Sequence, residues 1–142
     1  MTIKAILEGK GGEVLSVLPN ALVSAVVALL AEKRIGAVPV IEHGKVCGIF
    51  SERDVIYGLA KEGAAILERK VSEVMTAPAV TVSPDSAIMA GLSMMTRRRI
   101  RHLPVVDGDA VIGFVSIGDL VKYRIDKIEA EAAAMRDYIQ SA

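Results

Sequence analysis

Two heptapeptides carry the residue types needed to hold a phosphorylated sugar: Gly48-Ile49-Phe50-Ser51-Glu52-Arg53-Asp54 and Gly113-Phe114-Val115-Ser116-Ile117-Gly118-Asp119. In each, Gly and an apolar pair lead into Ser-x-x-Asp where a strand gives way to a helix. A helix N-terminus presents unpaired backbone N–H groups and the positive end of the dipole, and a Ser hydroxyl adds a donor. An Asp one turn in can accept two hydrogen bonds from a vicinal diol. The same Ser-x-x-Asp spacing is also that of a capping box, and duplication copies caps as faithfully as binding sites, so both readings stay open.

A basic run, Arg97-Arg98-Arg99-Ile100-Arg101-His102, closes a helix just before the strand Leu103 to Val106. Cations at a helix C-terminus favour its dipole, so a solvated face competes with a role in phosphate binding. The equivalent stretch nearer the N-terminus has Gly36-Ala37 where this one has Arg101-His102. Two unequal sites are therefore expected, with Arg101 entering the Ser116/Asp119 site and drawing the more highly charged phosphate end there. His43 falls in a turn and Cys47 in a buried strand, neither at metal-ligand or nucleophile–base spacing. The Gly-Lys-Gly-Gly-Glu stretch between Glu8 and Glu13 is too short for a phosphate loop and reads as a hinge.

The elements that position these residues come from a repeat. Sliding the chain on itself by 65 residues gives eleven identities over the 38 positions from Val17 to Asp54, pairing Pro19 with Pro84, Pro39 with Pro104 and Gly48 with Gly113. Within a unit, Leu22, Val26, Leu29 and Leu30 fall on one helical face, capped from Asn20 or, in the second copy, Asp85. Ala37–Ile41 and Lys45–Phe50 then read as two strands, turning at Glu42-His43-Gly44 or at Asp107-Gly108-Asp109. A second helix opens at Ser51 or Ser116, the former ending near Gly63. Short helical arms, Ile3-Ile6-Leu7 and Val71-Val74-Met75, precede the units. The expected fold is α+β: two pseudo-symmetric β-α-β-β-α repeats packed sheet to sheet, residues 1–66 and 67–125, followed by a C-terminal helix over 126–142. Neither repeat alone buries much of a core, so the two form one body with two related clefts at their seam.

The chain is 142 residues long and 52% hydrophobic, which excludes disorder, and its 17 basic and 17 acidic residues exclude the basic excess of a nucleic-acid or anionic-membrane binder. The longest uncharged stretch, Val14 to Ala31, is split by Pro19-Asn20 and is too short to span a bilayer. A lone cysteine and a start without an apolar leader point to the cytoplasm. In the last helix, Val121, Ile125, Ile128, Ala132, Met135 and Ile139 follow heptad spacing. That seam packs either on the chain's own N-terminal arm or on a second subunit, and a homodimer is expected.

Together these features resemble a tandem pair of cystathionine β-synthase (CBS) domains, a Bateman module. The likeness is carried by Val74-Met75-Thr76 ahead of a repeat, His102-Leu103-Pro104-Val105-Val106, and the two G-h-h-S-x-x-D segments, and it covers Thr2 to about Ile125. The resemblance implies a regulatory sensor without catalytic residues, binding an adenosine compound such as AMP, ADP, ATP, NAD or S-adenosylmethionine. Asp54 and Asp119 would hold the ribose, and Ser51 and Ser116 the phosphate. Arg101 and His102 occupy positions that touch phosphates, with Arg53 beside Asp54. The adenine would lie against Val17 and Val38 in one cleft and against Val82 and Leu103 in the other. The competing reading is a constitutive dimerisation or partner-docking protein with empty clefts. Neither reading names the protein that such a module regulates.

Overall fold

The computed structural model describes residues 1–11 and 13–141. After α1 (Ile3–Lys10) the first repeat runs α2 (Val23–Lys33), β1 (Ala37–Glu42), β2 (Lys45–Ser51) and α3 (Glu52–Glu62). A 3-10 segment, Gly63–Glu68, and the one-turn α4 (Val71–Val74) connect it to α5 (Ile88–Arg98), β3 (His102–Asp107), β4 (Ala110–Ser116) and α6 (Ile117–Ser141). Each β1-β2 or β3-β4 pair is an antiparallel hairpin. The first β segment of each unit is reduced to one parallel bridge, Val17 to Val40 and Val82 to Val105. The fold is α+β as expected, with the two hairpins meeting through β2 and β4.

The repeat is reproduced in backbone detail. Ala37 faces Ser51 and His102 faces Ser116, and each ladder slips once, after Val40 and after Val105. His43 and Gly44 both take positive φ, 54° and 78°, the conformation in which a two-residue loop matches the twist of the strands it joins. The helix starts differ from expectation. α2 and α5 begin at Val23 and Ile88, after Leu22 and Ala87, with no side-chain cap from Asn20 or Asp85. Val23, Val26 and Leu30 consequently form the buried face of α2, and Leu22 is exposed.

The arms cross over. Ile3 and Ile6 of α1 join Ile88, Met95, Leu103, Val115 and Leu120 in the core of repeat two, whereas Ile66 and Val71 join Val23, Val26, Val38 and Phe50 in the core of repeat one. Main-chain bonds fasten each arm: Ile3 N–H to Ser86 O at 3.0 Å, and Val71 N–H to Ala21 O at 2.8 Å. A helix plus a two-stranded hairpin leaves one apolar edge open, and the arm that closes it comes from elsewhere in the chain. The N-terminal arm, adjacent in sequence to repeat one, thus packs on repeat two. The final helix is continuous from Ile117, so residues 126–141 prolong the last element of repeat two, and Ala142 lies outside the described residues.

Candidate functional site

The two Ser-x-x-Asp segments sit where strand becomes helix, and they cap. Ser51 N–H donates to Asp54 Oδ2 at 2.9 Å and Asp54 N–H to Ser51 Oγ at 3.4 Å; the Ser116/Asp119 pair repeats this at 2.8 and 3.1 Å. Glu52 N–H donates to Gly36 O at 2.9 Å, Ile117 N–H to Arg101 O at 2.8 Å, and the Ser51 hydroxyl to Asp54 Oδ2 at 3.2 Å. Most donors that the sequence reading assigned to an anion are therefore engaged inside the chain. The carboxylates keep acceptor capacity, since each oxygen has two lone pairs.

The glycine opening each heptapeptide is where an arm crosses the hairpin. A Cβ on Gly48 would stand 2.7 Å from Thr76 O and 2.8 Å from Met75 Sδ; one on Gly113 would overlap the Leu7 side chain. Ile49 and Thr76 exchange both main-chain hydrogen bonds at 2.9 Å, which brings the Thr76 hydroxyl to Asp54 Oδ1 at 2.8 Å. Glycine thus serves close approach, and that approach sets the wall of a cleft.

The cleft, about 490 Å³, is lined by Ser51, Glu52, Arg53 and Asp54 together with Arg101 and His102, and Glu52 and His102 both lie against Gly36. Ile49, Ile56, Tyr57, Pro78, Val80 and Ile100 form an apolar wall. This corrects the expected pairing: Arg101 and His102 come from repeat two but line the same cleft as Asp54 of repeat one, because β3 starts beside the N-terminus of α3 across the seam. The apolar residues assigned to adenine are also reassigned. Val17 packs against the first core and Val38 is fully buried, and neither lines this cleft; Leu103, expected at the other site, is fully buried and Val82 nearly so. The wall residues that sequence reading missed, Tyr57 and Thr76 to Val80, carried one signal, the Thr76 that follows Val74-Met75.

Arg53 Nη1 donates to Arg99 O at 2.7 Å, held there because Arg99 ends α5 in the left-handed conformation. Arg97 and Arg98 remain exposed. Asp119 differs from Asp54 in its partner. Lys10, the last residue of α1, donates to Asp119 Oδ2 at 2.7 Å and to Phe114 O at 2.8 Å. Burial pushes the Asp119 carboxyl up, but Lys10 and the Ser116 N–H outweigh it and hold the group below its ordinary value. His102 lies between the two sites, its ring stacked on Phe114 with centroids 5.5 Å apart. Burial, followed by the Lys10 charge, lowers its pKa against the opposing pull of Asp119 and Glu52.

No helix among the described residues is long and apolar enough to cross a membrane. The family model for the CBS domain matches residues 12–61 and 71–126. CBS domain-containing protein YhcV of Bacillus subtilis is 30% identical over 121 residues, covering 85% of this chain and 86% of its own. The crystal structure of the CBS-domain containing protein ATU1752 from Agrobacterium tumefaciens superposes with a TM-score of 0.83 at 38% identity, over 87% of this chain and 99% of that one. CBSX2, solved in complex with AMP, has the same fold, with a TM-score of 0.74 at 23% identity, over 88% of this chain and 96% of that one.

Proposed function

The chain belongs to the CBS-domain family and carries the domain twice; on that premise we propose that it is a regulatory module binding an adenosine nucleotide of the AMP type in the Asp54 cleft, without chemistry of its own. The observation that carries the proposal is the composition of that cleft. The Asp54 carboxylate, able to accept a ribose diol, the Arg53 guanidinium, the Arg101 guanidinium of the other repeat and an apolar wall surround about 490 Å³, within the range of small-ligand pockets. The AMP held by CBSX2, a protein of the same fold, supports the choice of ligand. In this reading Asp54 takes the ribose hydroxyls, Arg101 and Arg53 the phosphate, and Tyr57 with Pro78 and Val80 the base.

Because Asp54 and Arg101 come from different repeats, a ligand that bridges them ties the repeats together across the seam. The conformational shift is limited to the ligand's differential affinity for the tied and untied arrangements. A second copy of the chain is the receiver we favour. Val121, Ile125, Ile128, Met135 and Ile139 of α6 are all exposed, and they share one heptad-spaced stripe.

Calorimetric titration with AMP tests the reading. Asp54→Ala and Arg101→Ala should each weaken binding by about 10- to 100-fold, the worth of a hydrogen bond to a charged group. Absence of binding to the unaltered chain at millimolar AMP, ADP, ATP, NAD and S-adenosylmethionine would overturn it.

A further inference from the structure

We propose that Lys10 is a built-in latch that keeps the Asp119 cleft closed to ligand, so that the two pseudo-symmetric sites fill in order, Asp54 first. The inference rests on the nucleotide reading above and concerns the regulation of the second of its two clefts.

By the repeat, Asp119 is the counterpart of Asp54, and both carboxylates have the same capping bonds to their serines. What differs is the arm that crosses in front. At Asp54 the arm contributes Thr76, a neutral hydroxyl 2.8 Å from Oδ1 that can turn and re-pair when another donor arrives. At Asp119 the arm contributes an ammonium, 2.7 Å from Oδ2, which is also tied at 2.8 Å to the Phe114 carbonyl. Among the described residues Oδ1 of Asp119 stays open, but a ribose diol that takes both oxygens of that carboxylate must displace, at Oδ2, a cation held by two acceptors.

The latch is posted by packing rather than by chance. Ile3 and Ile6 bury α1 in the core of repeat two, and Leu7 lies over Gly113, so Lys10 is delivered about one helical turn later, beside Asp119. Its helix ends there, with Gly11 N–H bonded to Leu7 O at 3.0 Å. The side chains are 45% (Lys10) and 28% (Asp119) exposed, so the pair is strong enough to bias occupancy and weak enough to open.

Adenosine is the discriminating probe, because it carries the diol but no phosphate. Calorimetry is run in an Asp54→Ala background, where the Asp119 cleft alone reports. Lys10→Met should tighten adenosine binding there by about 3- to 10-fold, the worth of one exposed ion pair and one hydrogen bond. In the ligand-free chain, hydrogen exchange over Leu7 to Gly11 should quicken by about 2- to 5-fold in Lys10→Met. If instead adenosine binding is unchanged and AMP binding weakens, Lys10 is a ligand anchor and the latch is refuted while the nucleotide reading stands. Unchanged exchange refutes it independently of any ligand. If the chain with Asp54 intact binds neither compound and no variant does, the nucleotide reading itself falls and the latch with it.

Discussion

Three glycine-to-alanine substitutions make the same chemical change and should give three different results. At Gly48 the added methyl would meet the Thr76 carbonyl at 2.7 Å and Met75 Sδ at 2.8 Å. The carbonyl is main chain and is itself bonded to Ile49 N–H, so it cannot step aside without unzipping the Ile49–Thr76 bridge. Overpacking of this kind costs ~1–3 kcal/mol. Unfolding entropy near ~2.1 cal/mol/K per residue gives ~0.3 kcal/mol/K for a chain of this length, so a cost of ~2 kcal/mol lowers Tm by ~7 °C. At Gly113 the obstacle is the end of the Leu7 side chain, which can rotate. The smaller strain is partly offset by the reduced freedom of the unfolded chain, and a fall of ~1–3 °C follows. At Gly9, inside α1, the methyl meets nothing within 4 Å, and replacing a helical glycine should raise Tm by ~2–3 °C. Differential scanning calorimetry reads all three. Because Gly48→Ala also displaces the Thr76 to Val80 wall, AMP should stabilise that variant less than it does the unaltered chain. A Tm for Gly48→Ala within 2 °C of wild type, or the same loss at Gly9, would refute close arm–hairpin approach as the reason for glycine in the heptapeptide.

Other outcomes follow from the same geometry. His102 has a lowered pKa in the folded chain, so the unfolded chain binds the proton more readily, and stability should fall as pH drops below ~6.5. Urea midpoints at pH 7.5 and pH 5.5 check this, and the difference should shrink in His102→Gln; an unchanged difference would put the effect elsewhere. Ile128→Glu, which places a charge on the exposed stripe of α6, should shift the mass seen by light scattering at tens of micromolar from dimer to monomer without lowering Tm of the monomer. A monomeric mass for the unaltered chain would remove the α6 stripe from the mechanism. Phe50→Ala, which empties a fully buried ring position beside Ser51, should cost ~3–5 kcal/mol in chemical denaturation, and a cost below ~1 kcal/mol would contradict its burial.

Much of the architecture can be read from the chain because the relevant physics is local or is copied twice. Paired prolines, turn residues and apolar runs recur at an offset of 65, and the period change from helix to strand within a unit needs no distant partner to be seen. Ser-x-x-Asp likewise marks a helix start from within four residues, and both copies are found capping one. Asn20 and Asp85 show where local rules stop: each has capping chemistry, but α2 and α5 start three residues later. There Val23 N–H bonds to Arg69 O and Ile88 N–H to Met1 O, partners supplied by the crossing arms.

Which residues face one another across the seam was decided by tertiary structure alone. Arg101 lies three residues ahead of Pro104 and fifteen ahead of Ser116, and nothing in that spacing places it in the cleft of Asp54. The crossing of the arms has the same origin: α1 and α4 are both short amphipathic turns that could cover either hairpin, and the choice is made by burial summed over many residues, Ile3 and Ile6 in one core, Ile66 and Val71 in the other. Composition and periodicity specify how much apolar surface an element must hide. They do not specify against which partner it is hidden, and here that partner determines whether a hydroxyl or an ammonium stands at each carboxylate.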